Sequence, residues 1–276
     1  MLNEDLPAKR RRKKETAARW GVRTATAVIG TQLPWVAATL DAVGIDVLNR
    51  LLSEKEASRI ERTLKAAVQL IEESLKLGRE PRSDGFDGAN PGDRSFPEEV
   101  VEGVLLRVQR ENQERKLPHY SEFLHSYVFN SALDPASAGT IVSIADELSY
   151  RQFCILALTN RQTLQSTLHY DTRLRIRSEK QHPTDLPSMW EETFTQEVFD
   201  LESRQLTQIS RGLLDTPHMV TLLPLGKMVC EVLGLSGIDP EILDDLKKRA
   251  DPYKTRVEWL LSFQRDRVGC FPLEAG

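Results

Sequence analysis

Between Ser53 and Leu77 the apolar residues Ala57, Ile60, Leu64, Ala67, Ile71 and Leu75 recur in steps of three and four. That spacing predicts one long helix with a single apolar stripe, because 3.6 residues complete a turn. Arg59, Glu61, Arg62, Lys65, Glu72, Glu73 and Lys76 fill the other face. Ser53 and Glu56 form a capping-box pattern, and Gly78 marks the stop. A stripe of this length must be covered, so the chain has to build layers of helices around it. Packing within the chain is expected, with a homo-oligomer seam as the alternative.

Three more helices are predicted after a Gly/Pro/Asp-rich linker at 78–94. Ser95 and Glu98 cap a segment whose Val100, Val101, Val104, Leu105 and Val108 face inward. Pro118 opens the next, with Tyr120, Phe123, Leu124, Tyr127 and Val128 as its apolar side. Asp134-Pro135 starts the third, through Ala138, Ile141, Val142, Ala145 and Leu148. Ser149 and Gln152 then re-cap the chain into a helix over Tyr150–Leu164. Asp84, Asp87 and Asp93 lack the spacing of a calcium loop.

Charge is unevenly spread. Residues 1–23 hold eight Lys/Arg and three Asp/Glu, a net of +5, so the remainder carries −9 of the total −4. Lys9, Arg10, Arg11, Arg12, Lys13 and Lys14 make this a basic arm suited to nucleic acid or an anionic lipid surface. Thr24 to Leu40 follows as seventeen residues without a charge. It is short for a membrane span and Pro34 interrupts it, so a packed helix or a helical hairpin turning at Pro34 is expected; an interfacial membrane anchor is the alternative. Cys154, Cys230 and Cys270 are sparse and show no metal-ligand spacing, which fits a reducing, cytoplasmic setting.

From Leu148 to Leu235 the pattern reads as a winged-helix-like domain. After the apolar helix comes a polar insert at 165–187, basic through Arg173, Arg175, Arg177 and Lys180. A helix from about Ser188 runs through Trp190, Phe194, Val198 and Leu201. Leu206–Ser210 and His218–Leu223 form a β-ribbon around Arg211–Pro217, and Leu225, Met228, Val229, Val232 and Leu233 line a helix ended by Gly234. Asp239-Pro240 starts one more helix, with a C-terminal helix and tail over 251–276. The helix in the groove-reading position carries Glu191, Glu192, Glu197, Asp200 and Glu202 against Arg204 alone, which suits DNA poorly because phosphate affinity comes from cations. No phosphate loop, nucleophile elbow or zinc motif is present, and His119, His125, His169, His182 and His218 stand in unrelated local contexts. His119 and His125, six residues apart, fall on opposite sides of a helix. No cofactor, metal site or catalytic residue is expected.

The segments Tyr120–Leu156, Leu201–Leu206 and Thr221–Gly226 resemble the bacterial abortive infection alpha family, through Glu122-Phe123-Leu124 and the run Ile141 to Ser149. Gln32-Leu33-Pro34-Trp35 and the Ser53–Leu77 helix resemble the amphipathic N-terminal region of that family. The resemblance implies a helical bacterial protein connected with defence against phage. The expected architecture is mainly α: a flexible arm at 1–23, helices over 24–77, the linker, a bundle over 95–147, and the winged-helix-like domain with its short β-ribbon at 148–250. The leading expectation is a non-enzymatic interaction or sensor protein working through a protein partner. The alternatives are a nucleic-acid-binding regulator using the arm and winged helix, and a membrane-acting effector using residues 24–40.

Overall fold

The computed structural model describes residues 33–49, 53–84, 95–161, 164–166, 189–210 and 218–250. They are mainly helical, with one small antiparallel sheet, and form two compact units. Unit 1 comprises residues 1–150 with Val232–Gly234; unit 2 comprises 151–231 and 235–276. The arm at 1–23, the insert residues 167–188 and the tail at 251–276 lie outside the described residues.

Unit 1 contains α1 (Pro34–Asn49), α2 (Glu54–Lys76), α3 (Phe96–Arg110), α4 (Leu117–Phe129) and α5 (Pro135–Glu147). The capping boxes at Ser53/Glu56 and Ser95/Glu98 both form, so two otherwise orphaned N–H groups are satisfied at the start of α2 and of α3. Asp134 accepts from the backbone of Ala136 and Ser137 to open α5. The middle of the α2 stripe is buried, with Ile60, Leu64, Ala67 and Ile71 between 0 and 1% exposed, while Ala57 and Leu75 at its ends are half-buried. Each such Ile or Leu stabilises the fold by about 1.5–3 kcal/mol. Thr63 and Ser74 share this face, so the stripe is not purely apolar.

The sequence predicts a packed helix or a hairpin turning at Pro34 over 24–40; residues 24–32 lie outside the described residues, and from Pro34 the chain is a packed helix. Pro34 sits at the first helical position, where the missing N–H is not needed, and α1 continues past Asp41 to Asn49. Leu33, Val36, Leu40, Val43 and Val47 step by three and four and are all buried. The charge at Asp41 ended the uncharged run without ending the helical stripe.

A buried polar corner joins α3, α4 and α5. Glu111 and Lys116, 5% and 2% exposed at their side chains, pair at 2.6 Å. Glu111 also accepts from Gln113 N, and Lys116 donates to the Asp146 carbonyl. Burial and then the Glu111 charge push the nearby Tyr120 hydroxyl to a raised pKa.

Unit 2 holds α6 from Arg151 onward (the helix spans Tyr150–Arg161), β1 (Leu164–Ser166), α7 (Met189–Ser203), β2 (Thr207–Ser210), β3 (His218–Leu222), α8 (Pro224–Val232, whose last residue counts with unit 1) and α9 (Pro240–Ala250). The sheet order is β1-β3-β2, with Val220 opposite both Leu164 and Ile209. Strand β1 was not legible locally: Leu164 continued a helical pattern, and only its pairing with β3, more than fifty residues on, makes it a strand. Met228, expected on the apolar side of α8, is 41% exposed.

Two helices end in the same six-residue device. At the end of α2, Gly78 N–H donates to Leu75 O and Arg79 N–H to Ser74 O, with Gly78 at φ +77°. At the end of α7, Gln205 N–H donates to Glu202 O and Leu206 N–H to Leu201 O, with Gln205 at φ +58°. These are the paired bonds of a Schellman stop, which turns on a left-handed residue and sets the residue after it against the third-last helical one. In α7 that contact is Leu206 with Leu201, both fully buried. The Leu206 carbonyl then accepts from Leu223 N–H and lies so close to Gly226 that a Cβ there would sit 2.0 Å from it.

Candidate functional site

In unit 2, α7 has one buried face and one polar face. Phe194, Val198 and Leu201 anchor one face in the core. Thr193, Gln196 and Ser203 are exposed and Asp200 half-buried, three and four residues apart on the opposite face. No Lys or Arg occurs from Met189 to Ser203. Two of the helix carboxylates are committed to the fold: Glu197 accepts from Arg151 on α6, and Glu202 accepts from Ile209 N–H on β2 at 3.0 Å. Gln196 donates to Asp200 at 2.9 Å. Such a face offers neutral hydrogen-bonding groups and negative charge, and nothing on the helix to neutralise phosphate.

Unit 1 carries a different kind of cluster. Ser74 Oγ lies 2.7 Å from His125 Nε2, joining α2 to α4. Glu122, one turn before His125, places Oε2 at 3.6 Å from Nδ1, an electrostatic contact rather than a hydrogen bond. In the tautomer that carries its proton on Nδ1, the Nε2 lone pair accepts from the Ser74 hydroxyl. Phe129 packs on the imidazole with centroids 5.2 Å apart, and the Arg79 guanidinium lies 5.0 Å above Phe129. Gly234, at φ +59°, leaves the room Glu122 occupies: a Cβ there would come within 2.7 Å of Glu122 Cγ.

The two helical histidines thus do separate things. His119 is 7% exposed and shares a 2.9 Å hydrogen bond through Nδ1 with the Leu233 carbonyl. Burial holds its pKa below the ordinary 6.5, partly offset by that bond and by Glu122. His125, read locally as one of five unrelated histidines, has a serine partner 51 residues away. A usable signal existed: Ser74 falls on the buried stripe, at the third-last helical position of a glycine stop, where an apolar residue is the rule.

The sequence-derived binding residues Lys9, Arg10, Arg11, Arg12, Lys13, Lys14, Arg173, Arg175, Arg177 and Lys180 lie outside the described residues. Among the described residues no group of three or more His, Cys, Asp or Glu is placed to hold a metal, and no helix is long and apolar enough to cross a membrane. Leu33, Val36, Thr39 and Leu40, the described end of the uncharged run, are buried. Cys230 is buried, which pushes its thiol up to about 12, and Cys154 is buried too; neither has the exposed, electropositive setting of a reactive cysteine. Beneath Val36, Leu40, Ile71 and Tyr127 lies an apolar cavity of about 10 Å³, room for a single water.

Comparison with protein-family models, with curated proteins and with solved structures finds no match.

Proposed function

We propose that the chain is an interaction or sensor protein whose C-terminal unit is a winged helix used for protein contacts. The succession α6–β1–α7–β2–β3, with β3 between the other two strands, supports the winged-helix reading. In that arrangement α7 takes the place of the helix that DNA-binding relatives of the shape lay in the major groove. The observation that carries the protein-contact reading is the charge of α7: no cation along its length, and carboxylates already bonded to Arg151 and to the β2 backbone. Placing this helix against phosphate would cost Coulomb repulsion with no compensating release of counterions. The setting of antiphage defence comes from the sequence resemblance.

The test is binding of the full chain, and of a chain lacking residues 1–23, to duplex DNA and to anionic vesicles across a salt series. The reading expects no DNA affinity in the shortened chain at any salt. DNA binding that survives removal of the arm, and falls steeply with salt, would transfer the assignment to a nucleic-acid-binding regulator.

A further inference from the structure

We propose that Ser74 is an activated nucleophile that accepts an acyl group from a small carboxylic ester, with His125 as its base and Glu122 positioning the imidazole. The inference concerns unit 1 alone and goes beyond the contact role proposed for unit 2.

An isolated serine hydroxyl is a weak nucleophile, because its proton is held too tightly at neutral pH. Three features here change that. The 2.7 Å contact puts the hydroxyl within transfer distance of Nε2. The Glu122 carboxylate, 3.6 Å from Nδ1 on the far side of the ring, offsets the positive charge the ring acquires on taking the proton. Phe129 packs against the ring, tilted 52° to it with centroids 5.2 Å apart, which limits its movement.

The helix stop supplies a fourth feature. A Schellman turn sets the residue after the left-handed position beside the third-last helical residue, which here places Arg79 with Ser74. That pairing is frequently apolar; here a serine and an arginine hold the two positions, joined by the backbone bond from Arg79 N–H to the Ser74 carbonyl. The guanidinium rests on Phe129, at the same end of the helix pair as the imidazole. A positive charge there stabilises the oxyanion that forms when Ser74 attacks a carbonyl.

The step balances without any further reactant. Ser74 Oγ bonds to the ester carbonyl carbon as its proton passes to His125 Nε2. The bond from that carbon to the leaving oxygen then breaks, the leaving oxygen takes the proton from Nε2, and acyl-Ser74 remains. Ser74 keeps 7% exposure and the His125 side chain 12%, which restricts the donor to a compact acyl group.

The probe is p-nitrophenyl acetate, added to the full chain, with the acetylated residue identified by peptide mass mapping and the rate followed by nitrophenolate release. Acetyl-Ser74 is expected in the native chain and is lost in Ser74→Ala. His125→Gln should slow Ser74 acetylation by about 100-fold, the scale of a lost general base. Ser74 and His125 also tie two helices together, so circular dichroism accompanies both variants. Glu122→Gln leaves the helix pair intact; it is expected to slow the reaction by roughly tenfold, with Glu122→Asp restoring much of the rate, as for a residue that orients another. Acetylation confined to lysines, or Ser74 acetylation at an unchanged rate in a folded His125→Gln, overturns the proposal.

Discussion

The stops at the ends of α2 and α7 share one backbone design and differ in every side chain that matters. The α7 stop turns on Gln205 and closes Leu206 onto Leu201 in the core of unit 2. The α2 stop turns on Gly78 and brings Arg79 beside Ser74, whose hydroxyl meets His125. In the first, backbone geometry and packing agree, which is what a segment selected for stability shows. In the second, a position that packing rules assign to an apolar residue holds a polar one with a specific partner. Local rules that fail at one place while the surroundings obey them point to a site.

The sharpest way to break this comparison is to truncate both third-last contacts. Leu206→Ala removes a fully buried side chain and is expected to cost about 2–5 kcal/mol, read from the denaturant midpoint. Ser74→Ala removes one hydrogen bond and is expected to cost only about 0.5–1.5 kcal/mol. Equal losses would mean that Ser74 serves packing as Leu206 does, and the contrast would fall.

Next in size is Gly226→Ala. The added methyl would overlap the Leu206 carbonyl, a backbone atom that already accepts from Leu223 and cannot swing away, so about 1–3 kcal/mol should be lost. This substitution explains Leu201–Leu206 and Thr221–Gly226 as parts of one lock: a helix stop whose carbonyl is covered by the start of α8. A stable Gly226→Ala would show that the lock is loose.

A third test separates the units by pH. His119 has a folded pKa below its ordinary 6.5, so the unfolded chain binds more protons in the window between the two values. The contribution is whole above about pH 6.5 and is lost as the pH falls toward the lowered folded value. Native unit 1 should therefore lose stability on acidification from pH 7 to 5, and His119→Gln should flatten that part of the profile. An unchanged slope in the variant would assign the acid sensitivity to carboxylates instead.

Much of this fold was legible in the sequence because it follows from local chemistry. Ser53, Ser95 and Asp134 announced helix starts, Gly78 a stop, and the three–four steps of Ile60, Leu64, Ala67 and Ile71 a buried face. What was illegible depends on partners distant in the chain. Strand β1 exists because β3 pairs with it, and α1 continues past Asp41 because its stripe meets a neighbour. The Ser74–His125 bond spans 51 residues, and no spacing rule reaches that far. Arg82 was likewise hidden: in a stretch read as linker, its side chain is buried, pairs with Asp84 and donates to the carbonyls of Tyr127 and Leu133.

The smallest effect tests the turning residues themselves. A side chain in the left-handed region costs roughly 1–2 kcal/mol, because Cβ crowds the following carbonyl. Gln205 bears that strain and Gly78 does not, although each stands at the same place in its turn. Gln205→Gly removes the strain but gives the unfolded chain more freedom, a loss of about 0.5–1 kcal/mol. The net expectation is a gain of roughly half a kcal/mol, visible as a small rise in Tm. Gly78→Ala should do the reverse by about 1 kcal/mol, through backbone strain alone, since a Cβ there meets nothing within 4 Å. If Gln205→Gly instead destabilises unit 2, the Gln205 side chain makes a contact worth more than the strain it carries. The α7 stop would then hold a selected residue at its turn, as the α2 stop holds one at Ser74.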